Sequence, residues 1–153
     1  MIKFGISLLI TLAALIQDLK KYKISNQLIL AGMVAAMLFI FIEVWRGGDV
    51  KELFLGGIGV FVVLYGIYMI GGIGAGDVKL LTVIGFLVGK KVAWIAATAF
   101  LAAAGLGAVG LLFQKLEQRK VTVLEVYKVN LHIMHFSIAI FIGELIVMCV
   151  CIV

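Results

Sequence analysis

The strongest constraint on this chain is how apolar residues are distributed along it. They form six runs, at about residues 2–16, 27–45, 53–73, 78–89, 92–113 and 132–153, and the short breaks between them hold nearly all the charge. With 65% hydrophobic and 14% charged residues, the sequence cannot assemble a water-soluble surface around a packed core. A membrane-spanning helix needs about 20 apolar residues, so the 153-residue chain has room for about six spans and no more. The expectation is an all-α, polytopic membrane protein of about six transmembrane helices, forming a single domain over residues 1–153. The first run resembles a signal peptide in having Lys3 before an apolar body. No small-x-small cleavage pattern leads into a soluble region, and the run is read as a retained span.

Charge sets the expected orientation. With six spans and the first loop inside, Lys20, Lys21, Lys23, Lys79, Lys115, Arg119, Lys120 and Lys128 face the cytoplasm, eight against the five of Lys3, Arg46, Lys51, Lys90 and Lys91. The fourth run is only about a dozen residues long. If it failed to cross, the count would become six inside and seven outside, so the positive-inside rule favours six spans. The net charge of +5 is scattered among these loops, which fits topology and lipid contact better than nucleic acid. Proline is absent, so glycine is expected to supply turns and close helix contacts, with "GGIGVFVVLYG" and "AAAGLGAVG" as the tight-packing faces.

Two aspartates interrupt this pattern. Asp18 ends the first run in "DLK" and Asp77 opens the fourth in "GIGAGDVKLL", which places both carboxylates at the cytoplasmic end of the expected bundle. A charged acid beside lipid needs a partner, water or a function. Two carboxylates held about 3 Å apart share a proton, and such a pair hydrolyses amides without a metal: one member takes a proton from water while the other polarises the carbonyl. Gly74 and Gly76 would let the chain turn and let a substrate backbone approach Asp77, which sits at a helix N-terminus. The plainer alternative is that Asp77 caps its helix and interacts with Lys79. His132 and His135 share a helix face, but no HExxH pattern accompanies them, and no metal or cofactor is expected. Glu144 falls well inside the last span, and Cys149 and Cys151 are read as packing residues that cannot bridge each other.

At these residues the sequence resembles the type IV prepilin peptidase family of GxGD aspartic membrane proteases. "DLKKYKISN" supplies Asp18, Ile24 and Asn26 of the first family block. Gly74, Gly76, Asp77, Lys79 and Leu80 supply the second, and "MHFSIAIFIGE" resembles the closing segment at Ala139, Ile140 and Gly143. Ser25 and His135 stand where the family pattern has proline. The size is similar to that of the short forms that serve Tad-type pili or archaeal preflagellins, and the resemblance implies an endopeptidase without methyltransferase activity in the inner membrane of a prokaryote. Its catalytic residues would be Asp18 and Asp77, with Gly74, Gly76, Lys79 and Asn26 shaping the site or binding substrate. The implied substrate is a type IV prepilin, Tad-type prepilin or preflagellin-like precursor, cut between its basic leader and its hydrophobic helix. Two alternatives stand beside this reading. A small proton- or cation-coupled transporter or channel subunit would use the intramembrane acids, Glu144 above all, and an inactive pilus-assembly protein would keep the fold alone.

Overall fold

A computed structural model describes residues 2–21, 24–117 and 136–152, and within them every regular element is helical. The α-helices are α1 (Ile2–Lys21), α2 (Asn26–Trp45), α3 (Lys51–Met69), α4 (Ala75–Val88), α5 (Val92–Glu117) and α6 (Phe136–Ile152), with a 3-10 turn at Gly89–Lys91 between α4 and α5. Among the described residues, three stretches are long and apolar enough to cross a membrane: Asn26–Trp45, Lys51–Met69 and Ala75–Gly105, the last running through the 3-10 turn. Phe136–Val150 is a shorter apolar helix. His132 and His135 fall outside the described residues.

Side-chain pairs fix how the helices run. Lys3 at the start of α1 bridges Glu43 near the end of α2 at 3.2 Å. Glu52 at the start of α3 bridges Lys90, just past the end of α4, at 3.1 Å. Lys91 lies 5.6 Å from the centre of the Phe4 ring. One end of the bundle therefore gathers the start of α1, the end of α2, the start of α3 and the end of α4. The opposite end gathers the end of α1, the loop into α4 and the start of α6. Thus α4 runs antiparallel to α1 and travels from the Asp18 level to the Phe4 level, roughly 20 Å for a 14-residue helix.

This short helix is the axis of the fold. It packs against α1, α2, α3, α5 and α6. Val78, Leu80, Leu81, Val83, Ile84, Leu87 and Val88 are all buried, whereas α2 and α3 turn most of their apolar side chains outward. A helix buried on nearly every side needs no polar face.

Glycine brings α3 against α4. A Cβ built on Gly56 would fall 2.3 Å from the carbonyl carbon of Gly89, one on Gly57 would fall 2.6 Å from the Phe86 ring, and one on Gly85 would fall 2.8 Å from the Cα of Gly57. The expected packing face "GGIGVFVVLYG" is thus used at its first two glycines, while Gly59 and Gly66 meet nothing within 4 Å. In the second expected face, Gly105 also meets nothing within 4 Å. Among the described residues, α5 makes a close contact to Gly143 of α6, where a Cβ would lie 2.7 Å from Thr98 Oγ1. Small residues at helix crossings let backbones approach, and packing of this kind holds helices together where lipid competes for apolar contact.

Candidate functional site

α1 continues to Lys21, beyond the apolar run that predicted it, and this places Asp18 in a regular helix, in its last turns. The third apolar run behaves in the opposite way. Its helix ends at Met69, and the chain through Ile70–Gly74 is a loop although Ile70 is 84% exposed. The turn is made at Gly71, which has φ +76°, a conformation that side chains disfavour. This corrects the expectation that Gly74 and Gly76 turn the chain. Gly74 is an extended N-cap residue at φ −75°, ψ 143°, and Gly76 lies within the first turn of α4.

The role of Gly74 is spatial. A Cβ there would come within 3.0 Å of Asp77 Oδ2, so glycine leaves room for that carboxylate. At Gly76 a Cβ would make only ordinary contact, 3.5 Å from Ile24 Cβ. Asp77 is the acidic residue of the first turn of α4, where the unpaired N–H groups favour negative charge. Both aspartates are half-buried, and the charge of Asp18 acts on the Asp77 carboxyl. The end of α1 and the start of α4 thus bring together two like-charged groups 59 positions apart in sequence.

Lys79 and Asn26 bind each other. The Lys79 ammonium donates to Asn26 Oδ1 at 3.2 Å, joining the first turn of α4 to the first residue of α2. The alternative in which Asp77 caps its helix with Lys79 as its partner is not what the geometry shows: Gly74 occupies the N-cap position, with no side-chain cap, and Lys79 reaches across to α2.

Ser25 explains how the first loop tolerates a missing proline. Its φ of −74° is one that proline would adopt, so the chain path is kept. Serine then adds two bonds, neither of which proline could make. Its hydroxyl accepts from the Leu28 N–H at 3.2 Å as the N-cap of α2, and its own N–H donates to Gln17 Oε1 at 3.1 Å. The start of α2 is in this way tied to the residue beside Asp18.

One contact was not anticipated from sequence. Ser137, fully buried in the first turn of α6, donates to Asp18 Oδ2 at 2.5 Å. Seven residues further along, Glu144 Oε2 accepts from Thr11 Oγ1 at 2.5 Å, and Thr11 lies seven residues before Asp18. Ser7, Thr11 and Glu144 are all fully buried. An apolar groove of about 550 Å³ runs between α3 and α5, with Gly56 and Gly59 on one wall and Ala93 and Ala96 on the other. Its lining includes Phe100, whose ring packs 5.3 Å from that of Phe136, the neighbour of Ser137.

Among the described residues, no group of three or more His, Cys, Asp or Glu side chains is arranged to hold a metal ion. Chemically, the end of the bundle offers two interacting carboxylates, a hydroxyl on Asp18 and a glycine, Gly74, that leaves room for the Asp77 carboxylate. No curated protein and no solved structure matches the chain. The model of the type IV leader peptidase family does match it, over residues 5–148, nearly the whole sequence. The chain is a membrane peptidase belonging to the type IV leader peptidase family.

Proposed function

We propose that this protein is an aspartic endopeptidase that removes the short basic leader from type IV pilin-like precursors, with Asp18 and Asp77 as its catalytic pair. The observation that carries the reading is the meeting of Asp18 and Asp77 at one end of the bundle, from two helices that run in opposite directions. The six helices each cross the inner membrane of a prokaryote in a single 153-residue domain, and the Asp18 end faces the cytoplasm, as the loop charges favour.

The reaction follows from the pair. The ionised carboxylate removes a proton from water as the water oxygen bonds to the scissile carbonyl carbon, while the protonated carboxyl gives its proton to the carbonyl oxygen. Collapse of the tetrahedral adduct breaks the C–N bond, the amine leaves with a proton from the dyad, and a new carboxyl remains on the leader. Gly74 keeps the approach to Asp77 open, Gly76 lies over Ile24 at ordinary contact distance, and Lys79 with Asn26 shapes the rim and meets the substrate backbone. A precursor whose basic leader lies in the cytoplasm and whose helix lies in the bilayer presents its junction at this depth. The apolar groove between α3 and α5 offers that helix a lateral position.

The test is cleavage by the purified protein in liposomes. Precursors of Tad-type pilins, other type IV pilins and preflagellins would be presented separately, and the product masses measured. Cleavage of one of them at the leader–helix junction is the expected result. Cleavage inside the helix, or ion flux through the liposomes without any cleavage, would contradict it.

A further inference from the structure

We propose that Ser137 is a positioning residue for Asp18, held at the right depth by the hydrogen bond between Glu144 and Thr11 two helical turns away. The inference rests on the aspartic-dyad reading and adds to it a group that none of the motif residues supplies. The Asp18 side chain has two torsions, and a hydrogen bond to one of its carboxyl oxygens restricts both. The Ser137 hydroxyl donates to one oxygen, Oδ2, at 2.5 Å, and Ser137 is itself fully buried. A buried donor of fixed position selects one rotamer of the acid it binds.

The second bond makes the first reproducible. Ser137 and Glu144 are seven residues apart on α6, and Thr11 and Asp18 are seven apart on α1, so two bonds join antiparallel helices at levels roughly 10 Å apart. A single bond would allow α6 to pivot about it against α1. Two bonds at the same spacing on both helices fix the angle as well as the register, because a rotation about one would break the other. The backbone contact of Gly143 with α5 holds α6 from another side, at 2.9 Å between a built Cβ and the Ile95 carbonyl oxygen. The buried acid of the last span therefore has a place in the proposed chemistry without touching substrate.

The test compares Ser137→Ala and Ser137→Thr with the native protein, measuring kcat, KM and melting in the same detergent. Loss of a hydrogen bond to a charged group corresponds to roughly a 10- to 100-fold loss in rate when that bond orders the reacting acid. The expected result is a fall of that size in kcat for Ser137→Ala, with KM within about twofold of native and an unchanged melting temperature. Ser137→Thr, which keeps the hydroxyl, should recover most of the rate. Native kcat in Ser137→Ala would overturn the proposal, and so would a fall in kcat matched by a fall in melting temperature, which is the mark of a merely structural serine. An Asp18→Asn control separates the two levels of inference: if it still cleaves, the dyad reading itself has failed, whatever Ser137 does.

Discussion

Gly56 and Gly59 lie three residues apart on α3, and alanine should have opposite consequences at the two positions. A Cβ at Gly56 would sit 2.3 Å from the Gly89 carbonyl carbon and 2.4 Å from its oxygen, whereas ordinary carbon contacts begin near 3.5 Å. The obstacle is backbone, held at φ +72°, so no rotamer change can relieve it. α3 would have to withdraw from α4 by about 1 Å along the contact, opening the packing around Gly57, Gly85 and Phe86. Overpacking of this kind costs about 1–3 kcal/mol, and a backbone-on-backbone clash belongs at the upper end. At Gly59 a Cβ meets nothing within 4 Å, and alanine improves helix propensity by up to about 1 kcal/mol. The assay is thermal unfolding of each purified variant in one detergent, followed by circular dichroism. Gly56→Ala should melt well below native and Gly59→Ala at or slightly above it. If Gly56→Ala melts with native, the close α3–α4 crossing is wrong, and with it the central place of α4.

The same logic applies at the active end. Gly74→Ala crowds Asp77 Oδ2 and should reduce kcat at least tenfold with little change in melting, while Gly76→Ala, which makes only ordinary contact with Ile24, should stay within about threefold of native; equal effects on kcat would refute the distinction. Glu144→Gln keeps a polar group on Thr11 and should retain cleavage, whereas Glu144→Leu removes the bond between α1 and α6, leaving Thr11 with its bond to the Ser7 carbonyl oxygen, and should lower both stability and rate, a comparison made by melting and cleavage assay. Asn26→Ala and Lys79→Met each remove the same exposed bond, so the double variant should lose no more activity than the worse single one. Cleavage should be indifferent to metal chelators, since a carboxylate pair needs no metal; inhibition reversed by added metal would contradict the proposed chemistry.

The helical character of the chain was legible because each apolar run is bounded by charge or glycine. Where the runs and helices disagree, the cause is local. α1 runs past its apolar stretch because Asp18, Leu19, Lys20 and Lys21 pose no obstacle to a helix, while α3 stops short of its apolar stretch because Gly71 turns the chain. The GxGD motif drew attention to the right turn, but a motif does not say which glycine bends and which one makes room. That depends on the Asp77 rotamer and on Ile24, which are set by packing across helices. Ser25 looked like a departure from the family pattern, and only its φ and its bond to Gln17 reveal that it substitutes for proline's geometry. Ser137 lies inside "MHFSIAIFIGE", the stretch that resembles the closing segment, but nothing in that stretch points to Asp18, and the spacing of seven between Ser137 and Glu144 acquires meaning only once α6 is laid antiparallel to α1.

The most direct test of the account is to substitute the two aspartates one at a time in the reconstituted cleavage assay. Asp18→Asn and Asp77→Asn keep the size of each side chain and remove its ability to exchange a proton, and Asp49→Asn, in the loop between α2 and α3, serves as the control. The account predicts that leader removal is lost in both motif variants and retained in the control, with all three proteins melting close to native. Cleavage that survives either motif substitution at a near-native rate would contradict the dyad.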